Sequence, residues 1–355
     1  MTFASSSTGD DARQPWQGRN GPLMIAEIGG NHEGDFDYAR RLTDLAIESG
    51  ADCIKFQIYT GDTLVSPVES PDRNAHFRRF ELSPEQHVAL ARQCREAGVG
   101  YAASVWDLSA LDWIDEYLDF YKIGSGDLTA YPVIAEFARR GKPIVLSTGL
   151  STAAEVVETV EFLRKVNSVY AGDSNLAVLQ CTSMYPCVEE DVHLAAMNEL
   201  GRLTGAAIGY SDHTCGTLAL LAAAARGAQV LEFHFTDGRE GKTFRDHKVS
   251  LTRDEVREFA SRVARVRTLL GNEHKAPTRS EVESGHVESF RRALYCNRDL
   301  AAGEQIRGED LVALRPNRGV DARSHDAVVG RVAKYDTEAL SSLALDNFLI
   351  EDDEQ

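Results

Sequence analysis

Residues 22–57 read PLMIAEIGGNHEGDFDYARRLTDLAIESGADCIKFQ and contain one complete strand–helix–strand pattern. The apolar run Leu23–Glu27 predicts a strand that is buried on both faces. Asp35 is a typical helix N-cap, apolar side chains then recur on one helical face, and Gly50 is a typical helix end. Cys53–Gln57 is the next buried strand. The stretch therefore predicts a parallel β–α–β unit.

The same alternation continues to about residue 272 and gives eight short, mostly apolar strands. They are Leu23–Glu27, Cys53–Gln57, Gly100–Ser104, Phe120–Gly124, Ile144–Thr148, Leu176–Cys181, Ala207–Tyr210 and Val230–His234. Eight strand–helix units in roughly 250 residues predict an α/β fold, the (β/α)8 TIM barrel. An open doubly wound sheet is the alternative. It is disfavoured because the turn after the first strand reads EIGGNHEG instead of the G-x-G-x-x-G of nucleotide-binding sheets.

The pattern changes on both sides of the barrel, which we assign to residues 22–272. Residues 1–21 are interpreted as a mobile polar tail, and residues 273–287 as a polar linker. Residues 288–350 predict a small, mostly β domain, and residues 351–355 an acidic tail. Short strands are expected at Ala293–Cys296, Val312–Leu314 and Val328–Val332. So small a domain is near the lower limit of independent stability, and we expect it to dock on something.

The chain is acidic. Its 355 residues include 55 acidic and 38 basic side chains, which gives a net charge of −17 and a pI near 5.1. This balance argues against nucleic-acid binding. No run approaches the roughly 20 apolar residues that cross a bilayer, and the N-terminus lacks the features of a secretory signal. The six dispersed cysteines are typical of reduced thiols. We therefore expect a cytoplasmic protein that binds neither membrane nor nucleic acid.

Barrel enzymes carry their chemistry at the carboxyl ends of the strands, and those positions are polar in this chain. Lys55 and Lys122 lie in two otherwise apolar strands. A buried lysine is costly without an anion. Either structural carboxylates neutralise the two lysines, or the lysines bind a phosphate or carboxylate group together with nearby hydroxyls, which we favour. The serines at these strand ends are Ser104, Ser125, Ser147, Ser183 and Ser211.

Two histidines, His213 and His234, follow neighbouring strands, the seventh and the eighth. A lone histidine is more often a satisfied core residue, but two at adjacent strand ends can converge on one metal ion. Two imidazoles leave other ligand positions to water, a carboxylate or substrate. We therefore expect replaceable Mn²⁺ or Mg²⁺ rather than a closed zinc site. Glu27 ends the first strand, and the sequence does not decide between a hydroxyl acceptor, an acid/base group and a partner of a lysine.

Eight motifs follow one another along the barrel: IAEIGGNHEGD, IKFQ, YKIGSGD, IVLSTGL, LQCTSMYP, IGYSDHT, LEFHFTD and DHKVSLT. The segment NRDLAAGEQIRGEDLVALRPNRGV follows them in the small domain. Together these motifs resemble the sialic acid synthase family, whose enzymes join phosphoenolpyruvate to an N-acetylated hexosamine. The last segment is similar to the antifreeze-like (SAF) domain of that family. The resemblance extends over residues 22–348, in the order found in the family.

The resemblance implies a role for each polar residue at the barrel mouth. Phosphoenolpyruvate would be bound by Lys55, Ser104, Lys122, Ser125, Ser147, Ser183 and Ser211. The sugar would contact Glu27, Gln57, Tyr185, Asp246 and, from the small domain, Arg315. His213 and His234 would bind the divalent metal, Mn²⁺ or Mg²⁺, and the catalytic residues would be Glu27, Asp246, Lys55 and Lys122. In the family the small domain caps the partner's barrel, so a domain-exchanged homodimer is also implied.

The chain departs from the family pattern at a few positions. Ser183 stands where asparagine is common, and Asp127 replaces a glutamate that is one methylene longer. Phe233 stands where a basic residue is usual. Trp106 lies in a segment, VWD, that replaces T-P-F-S, and TFRDH replaces the usual G-P-D-H that leads into Asp246. The lysine pair and the histidine pair are retained, so we expect the chemistry to be kept, with N-acetylmannosamine, a different acylamino sugar or a related sugar aldehyde as the acceptor.

Two alternative functions remain open. One is a phosphoenolpyruvate-dependent synthase for another sugar aldehyde, including a phosphorylated sugar, as in the octulosonate-phosphate and heptulosonate-phosphate synthases. Those enzymes usually lack an antifreeze-like domain and need an additional basic site for the second phosphate. The other is a non-catalytic homologue that binds sugar acids. Activity with phosphoenolpyruvate and a metal would separate the two.

Overall fold

The computed structural model describes residues 16–347, and the side chain of Leu345 is not described. The predicted acidic tail, residues 351–355, lies outside the described residues. The chain divides into two compact units after Gly271. Each unit is described by itself.

The first unit is a nearly closed barrel of eight parallel strands, which confirms the predicted fold class. The strands are β1 (Gly21–Glu27), β2 (Cys53–Ile58), β3 (Gly100–Val105), β4 (Tyr121–Ile123), β5 (Ile144–Ser147), β6 (Leu176–Cys181), β7 (Ala207–Asp212) and β8 (Val230–His234). Their order in the sheet is β3-β2-β1-β8-β7-β6-β5-β4. A single parallel bridge, between Tyr101 and Leu118, joins the two ends of the sheet beside β3 and β4.

Helices connect the strands and cover the outside of the barrel. The barrel unit contains α1 (Phe36–Ser49), α2 (Gly61–Leu64), α3 (Pro71–Phe80), α4 (Pro84–Glu96), α5 (Leu111–Ile114), α6 (Tyr131–Arg140), α7 (Ala153–Val166), α8 (Ala195–Thr204), α9 (Leu218–Ala225) and α10 (Arg253–Leu270). The caps lie where the sequence predicts them. The Asp35 carboxylate accepts the amide N–H of Tyr38 at 2.9 Å, and Gly50 ends α1 in the left-handed region at φ 86°.

Alternation along the strands divides the barrel interior into two layers. Inward side chains near the strand starts are apolar and form one buried cluster, which includes Ile25, Cys53, Phe120 and Val145. Because side chains on one face of a strand recur every second residue, the next inward positions are Glu27, Lys55, Lys122 and Ser147. The apolar layer therefore supports a polar layer at the carboxyl ends of the strands.

The sequence predicts an N-terminal tail over residues 1–21, and this prediction is wrong for its last six residues. Trp16 is buried, and its indole N–H donates to the backbone oxygen of Asp173 at 2.7 Å. A two-residue strand, Gln17–Gly18, pairs antiparallel with β1. The indole packs edge-on to Phe120 and covers the apolar layer of the barrel from its amino end. Residues 16–21 therefore belong to the barrel, and residues 1–15 lie outside the described residues.

The second unit has a small core and less strand than predicted. It contains α11 (Arg279–Glu283), α12 (His286–Ser289), β9 (Ala293–Cys296), β10 (Leu311–Leu314) and α13 (His325–Val328). β9 and β10 lie where the sequence predicts strands, and they pair antiparallel. The strand expected at Val328–Val332 is wrong: Val328 ends α13, and Val332 makes only an isolated bridge to Gln305. In residues 16–347 no helix is long and apolar enough to span a membrane.

Candidate active site

Two lysines and two glutamates form a buried charge cluster at the carboxyl end of the barrel. Lys55 Nζ lies 2.7 Å from Glu27 Oε2 and 3.4 Å from Glu232 Oε1. Lys122 Nζ lies 3.4 Å from the other oxygen of Glu232. All four side chains are at most 6 % exposed. The two positive and two negative charges compensate each other, as a buried set must.

The two glutamates of this cluster differ in proton affinity. Burial alone would raise the pKa of Glu232, but the ammonium groups of Lys122 and Lys55 outweigh it and lower that pKa to about 2. Burial also raises the pKa of Glu27, and here the nearby Lys55 only partly opposes it. Glu232 is therefore a fixed negative charge, and Glu27 is the more easily protonated of the two carboxylates.

Serine hydroxyls lie beside the two lysine ammonium groups, an arrangement suited to an anion. Lys122 donates to Ser147 Oγ at 2.8 Å, and Lys55 to Ser104 Oγ at 3.4 Å. The amide N–H of Gly149 donates to Ser125 Oγ at 3.0 Å. A Cβ atom at Gly149 would lie 2.8 Å from that oxygen and 2.6 Å from the hydroxyl of Ser183. The glycine thus allows two serines from different strand ends to approach one backbone turn.

The two histidines lie next to each other beside this cluster. The ring centroids of His213 and His234 are 5.3 Å apart, and Tyr185 packs on His213 at 3.9 Å. His213 donates from Nδ1 to the carbonyl oxygen of Thr182 at 2.7 Å, which directs Nε2 away from the backbone. His234 Nδ1 is buried without a hydrogen-bond partner in the described residues and lies 4.0 Å from Asp246 Oδ2.

This arrangement fits a metal site with two protein nitrogens. Burial, followed by the charges of His213 and Lys55, holds the pKa of His234 well below its usual value, so its imidazole is a neutral ligand. Within residues 16–347, no three histidine, cysteine, aspartate or glutamate side chains surround a common point. The remaining positions would therefore fall to water or substrate, as in replaceable metal sites.

A cavity of about 940 Å³ opens above the charge cluster and is walled on one side by α3. Arg73, His76, Phe77 and Phe80 of α3 line it, at the three- and four-residue spacing of one helical face. Phe244, from the loop after β8, stacks on His76 with ring centroids 5.9 Å apart. The cavity therefore has a charged floor and an aromatic, basic rim.

All the predicted site residues of the barrel line this one cavity. They are Glu27, Lys55, Gln57, Ser104, Lys122, Ser125, Ser147, Ser183, Tyr185, Ser211, His213, His234 and Asp246. Gln57 also donates to Glu27 Oε1 at 2.8 Å. Arg315 belongs to the second unit, where its guanidinium lies 5.3 Å from the ring centre of Phe290. The roles of these residues stay predictions.

Phe233, a departure from the family pattern, does not belong to the site. Its side chain is buried in the apolar cluster between the strands and the covering helices. It packs edge-on against Phe259 of α10, with ring centroids 5.9 Å apart. Glu232 and His234, on either side of it, line the cavity. Period-two alternation along β8 explains this division.

Glu232 lies within the predicted eighth strand, Val230–His234, but it is not among the predicted site residues. The signal was present, since Glu232 precedes His234 by two residues on a buried strand and must share its face. The rim residues of α3 were also missed. That helix has no apolar stripe long enough to be recognised from the sequence.

The fold and the cavity define a barrel protein whose candidate site brings two buried lysines and several serine hydroxyls beside two histidines. Residues 42–275 match the NeuB family, and residues 291–349 match the SAF domain. The chain belongs to the NeuB family. Among its relatives, the N,N'-diacetyllegionaminic acid synthase of Legionella pneumophila is 33 % identical over 87 % of this chain and 89 % of that protein.

Two further relatives agree with this assignment. The N-acetylneuraminate-9-phosphate synthase of Homo sapiens is 35 % identical over 73 % of this chain and 74 % of that protein. The solved structure of N-acetylneuraminic acid (sialic acid) synthetase from Leptospira borgpetersenii is 29 % identical, with a TM-score of 0.69, and covers 75 % of this chain and 91 % of that one. The chain is therefore an enzyme of the nonulosonic acid synthase class.

Proposed function

We propose that this enzyme condenses phosphoenolpyruvate with an open-chain acylamino sugar, N-acetylmannosamine or a related compound. C3 of phosphoenolpyruvate forms a bond to the aldehyde carbon of the sugar. Water adds at C2, and the C–O bond to phosphate then breaks. The products are a 2-keto-3-deoxy nonulosonic acid and inorganic phosphate.

The observation that carries this proposal is the buried lysine pair with its hydroxyls. Lys122 and Lys55 each reach a serine hydroxyl while their ammonium groups share Glu232. A phosphate or carboxylate that enters this site finds two positive charges and several O–H donors already in place. A purely structural ion-pair cluster would not need the ring of serines or a cavity above it.

Two carboxylic acids of the site are candidates for the base in this mechanism. Glu27 and Asp246 both have a pKa raised by burial, with Lys55 opposing this at Glu27 and Arg245 opposing it at Asp246. Either group is suited to take the proton of the water that adds at C2. The side-chain amide of Gln57 donates to Glu27 Oε1, and this hydrogen bond fixes the orientation of the Glu27 carboxyl group.

His213 and His234 would hold Mn²⁺ or Mg²⁺. The metal ion would supply Lewis-acid polarisation of the sugar aldehyde. The chain itself contributes the orientation of the ligands: Thr182 accepts from His213, and Tyr185 packs against the rings of both histidines. A readout independent of turnover is isothermal titration of Mn²⁺ into the metal-stripped protein, in which His213→Ala should abolish the binding heat.

Phosphate release from phosphoenolpyruvate with Mn²⁺ tests the proposed function. The acceptor panel contains N-acetylmannosamine, its 2,4-diacetamido dideoxy relatives, a phosphorylated N-acetylated hexosamine, and a phosphorylated pentose and tetrose. The proposal is supported if phosphate is released with an acylamino sugar and a chelator abolishes that release. If a protein that folds and binds phosphoenolpyruvate releases no phosphate with any acceptor, the proposal is refuted. The Lys122→Met variant, which removes the charge but keeps the length of the side chain, serves as the inactive control.

A phosphorylated acylamino sugar is a second candidate acceptor, because the cavity rim is basic. Arg73, Arg79 and Arg245 all line it. In the described residues Arg73 and Arg79 make no ion pair, whereas Arg245 pairs with Asp246 at 3.1 Å. Free arginines at the rim are suited to a phosphate on the far end of the sugar. A preference of at least tenfold in kcat/KM for the phosphorylated acceptor, lost in Arg73→Gln, would select this candidate.

The proposal extends to the assembly. We expect a homodimer in which Arg315 of one subunit contacts the N-acyl group of sugar bound by its partner. Mixing two inactive variants, His213→Ala and Arg315→Ala, tests this arrangement. Exchange of subunits should restore one complete site per mixed dimer, and therefore part of the activity. A monomer in light scattering, or no recovery after proven exchange, would contradict it.

A further inference from the structure

Two departures from the family pattern, Trp106 and Asp127, meet in the structure. The indole N–H of Trp106 donates to Asp127 Oδ2 at 2.6 Å. Trp106 follows β3, and Asp127 ends the short helical turn Ser125–Asp127 after β4. Both side chains line the cavity. The contact therefore joins the segments that follow the two edge strands of the barrel sheet, which within residues 16–347 are connected by a single backbone bridge.

The surroundings hold the indole in place. The backbone N–H of Trp106 donates to the carbonyl oxygen of Ile58 at 2.8 Å. The ring of Tyr59 packs on the indole with centroids 5.5 Å apart, and Phe77 packs edge-on against Tyr59 at 5.3 Å. The indole of tryptophan has a single N–H, which can only donate a hydrogen bond. Because the indole is held in place, it bonds to the same carboxylate oxygen of Asp127, Oδ2.

The other oxygen of that carboxylate remains available. In the part of the chain that the structure describes, Trp106 is the only side chain that donates to Asp127. Burial raises the pKa of Asp127, while the indole hydrogen bond and the charge of Lys122 oppose that change. The free oxygen, Oδ1, can accept from a ligand.

From this geometry we propose that Trp106 is a positioning residue that sets acceptor specificity by holding Asp127 at the cavity wall. The acceptor is an acylamino sugar that donates one O–H or N–H to Asp127 Oδ1 and places a C–H edge along the indole. Sugars with a bulky group at that edge are excluded by the ring. This inference rests on the proposed function, since it concerns the acceptor of that reaction.

Two substitutions distinguish the role of the Trp106–Asp127 hydrogen bond, called the tether below, from the role of Asp127 Oδ1 as the atom that accepts from the sugar. Trp106→Phe keeps an aromatic wall but removes the N–H. Asp127→Asn keeps an oxygen for the indole and turns an NH₂ group toward the ligand. We expect Trp106→Phe to raise KM for the acceptor roughly 10- to 100-fold, the range for a lost hydrogen bond to a charged group, with KM for phosphoenolpyruvate within about twofold. Asp127→Asn should raise acceptor KM at least as much, and adding Trp106→Phe to it should have little further effect.

Trp113→Phe is the matched control, because Trp113 lies in α5 and does not line the cavity. It should leave both KM values unchanged. Trp106→Phe/Asp127→Glu should recover part of the lost acceptor affinity, since the longer side chain needs no tether to reach the ligand. Equal changes in both KM values, or none, in a folded Trp106→Phe enzyme would overturn the inference.

Tryptophan fluorescence provides a readout that does not require turnover. Adding N-acetylmannosamine without phosphoenolpyruvate should change the emission of the unsubstituted chain and of Trp113→Phe, but not that of Trp106→Phe. If the unsubstituted chain releases no phosphate with any acceptor, the proposed function fails, and this titration still decides whether a sugar binds beside Trp106. An emission change that persists in Trp106→Phe would refute the inference.

Discussion

Glu232→Gln is the most informative single substitution in the charge cluster, because it removes one charge and almost no volume. Glu232 lies 3.4 Å from each of two buried ammonium groups. At an effective dielectric constant of about 20, each contact at that distance is worth about 5 kcal/mol of Coulomb energy. Loss of the charge leaves Glu27 to compensate both lysines.

The net effect on stability is smaller than the Coulomb sum. Removing one partner of a buried ion pair typically costs about 3–5 kcal/mol, because the remaining charge stays desolvated. Burial and the charge of Lys55 already lower the pKa of Lys122, and Glu232 opposes them. Without Glu232, Lys122 releases its proton more readily, which limits the penalty. We therefore expect Glu232→Gln to lower the free energy of unfolding by about 3–5 kcal/mol.

Anion binding should change in the opposite direction. An incoming phosphate group can take the place of the missing carboxylate, so inorganic phosphate should bind Glu232→Gln about tenfold more tightly than the unsubstituted protein. It should also restore part of the lost stability by linkage. Calorimetric titration measures the phosphate affinity, and urea unfolding followed by circular dichroism, with and without phosphate, measures the restored stability.

Glu48→Gln is the matched control. Glu48 pairs with Arg253 at 2.8 Å, and both side chains are substantially exposed. This surface pair should contribute less than about 1 kcal/mol. If Glu232→Gln is no more costly than Glu48→Gln, or if it weakens phosphate binding, the assignment of Glu232 as the internal counter-ion of an anion site is wrong.

Three further predictions concern packing and titration. Gly149→Ala should raise KM for phosphoenolpyruvate at least tenfold in steady-state assays, because the new methyl group displaces the hydroxyl of Ser125; an unchanged KM would contradict this. Phe233→Ala should lower the free energy of unfolding by about 3–5 kcal/mol in urea and leave both KM values unaltered, since the ring packs outside the barrel; a selective change in KM would show that the residue contributes to the site. Burial lowers the pKa of His87 to about 3 from its usual 6.5, and among the described residues only Tyr101 OH lies within hydrogen-bonding reach of its ring, at 3.3 Å. Its contribution to stability is therefore complete above pH 6.5 and falls with decreasing pH, so urea midpoints between pH 7 and 4 should decline more steeply than in His87→Gln.

The barrel and most of its site follow from the sequence because two simple periodicities act together. Buried parallel strands appear as apolar runs, and their carboxyl ends must meet at one mouth. Lys55 and Lys122 are identifiable because a lysine interrupts such a run. The pairing of those lysines with Glu232 was not predictable, since the sequence does not say which of several carboxylates reaches an ammonium group.

The failures have equally specific causes. The apolar residues at Val328–Val332 are too few to distinguish a strand from the end of a helix, and the chain turns there. Trp16 looks like part of a polar tail because its partners, Phe120 and the carbonyl of Asp173, are more than a hundred residues away. The bond between Trp106 and Asp127 joins two segments that only the closing of the barrel brings together.

The alternation along β8 has an evolutionary consequence. Glu232 and His234 face the substrate side of the wall, whereas Phe233 faces α10 and contacts Phe259. A replacement at position 233 can thus be absorbed by a matching change in the covering helix, without an inactive intermediate. The two faces of this strand can therefore change independently of each other, and enzymes with the same reaction can differ in the residues that pack outside the barrel.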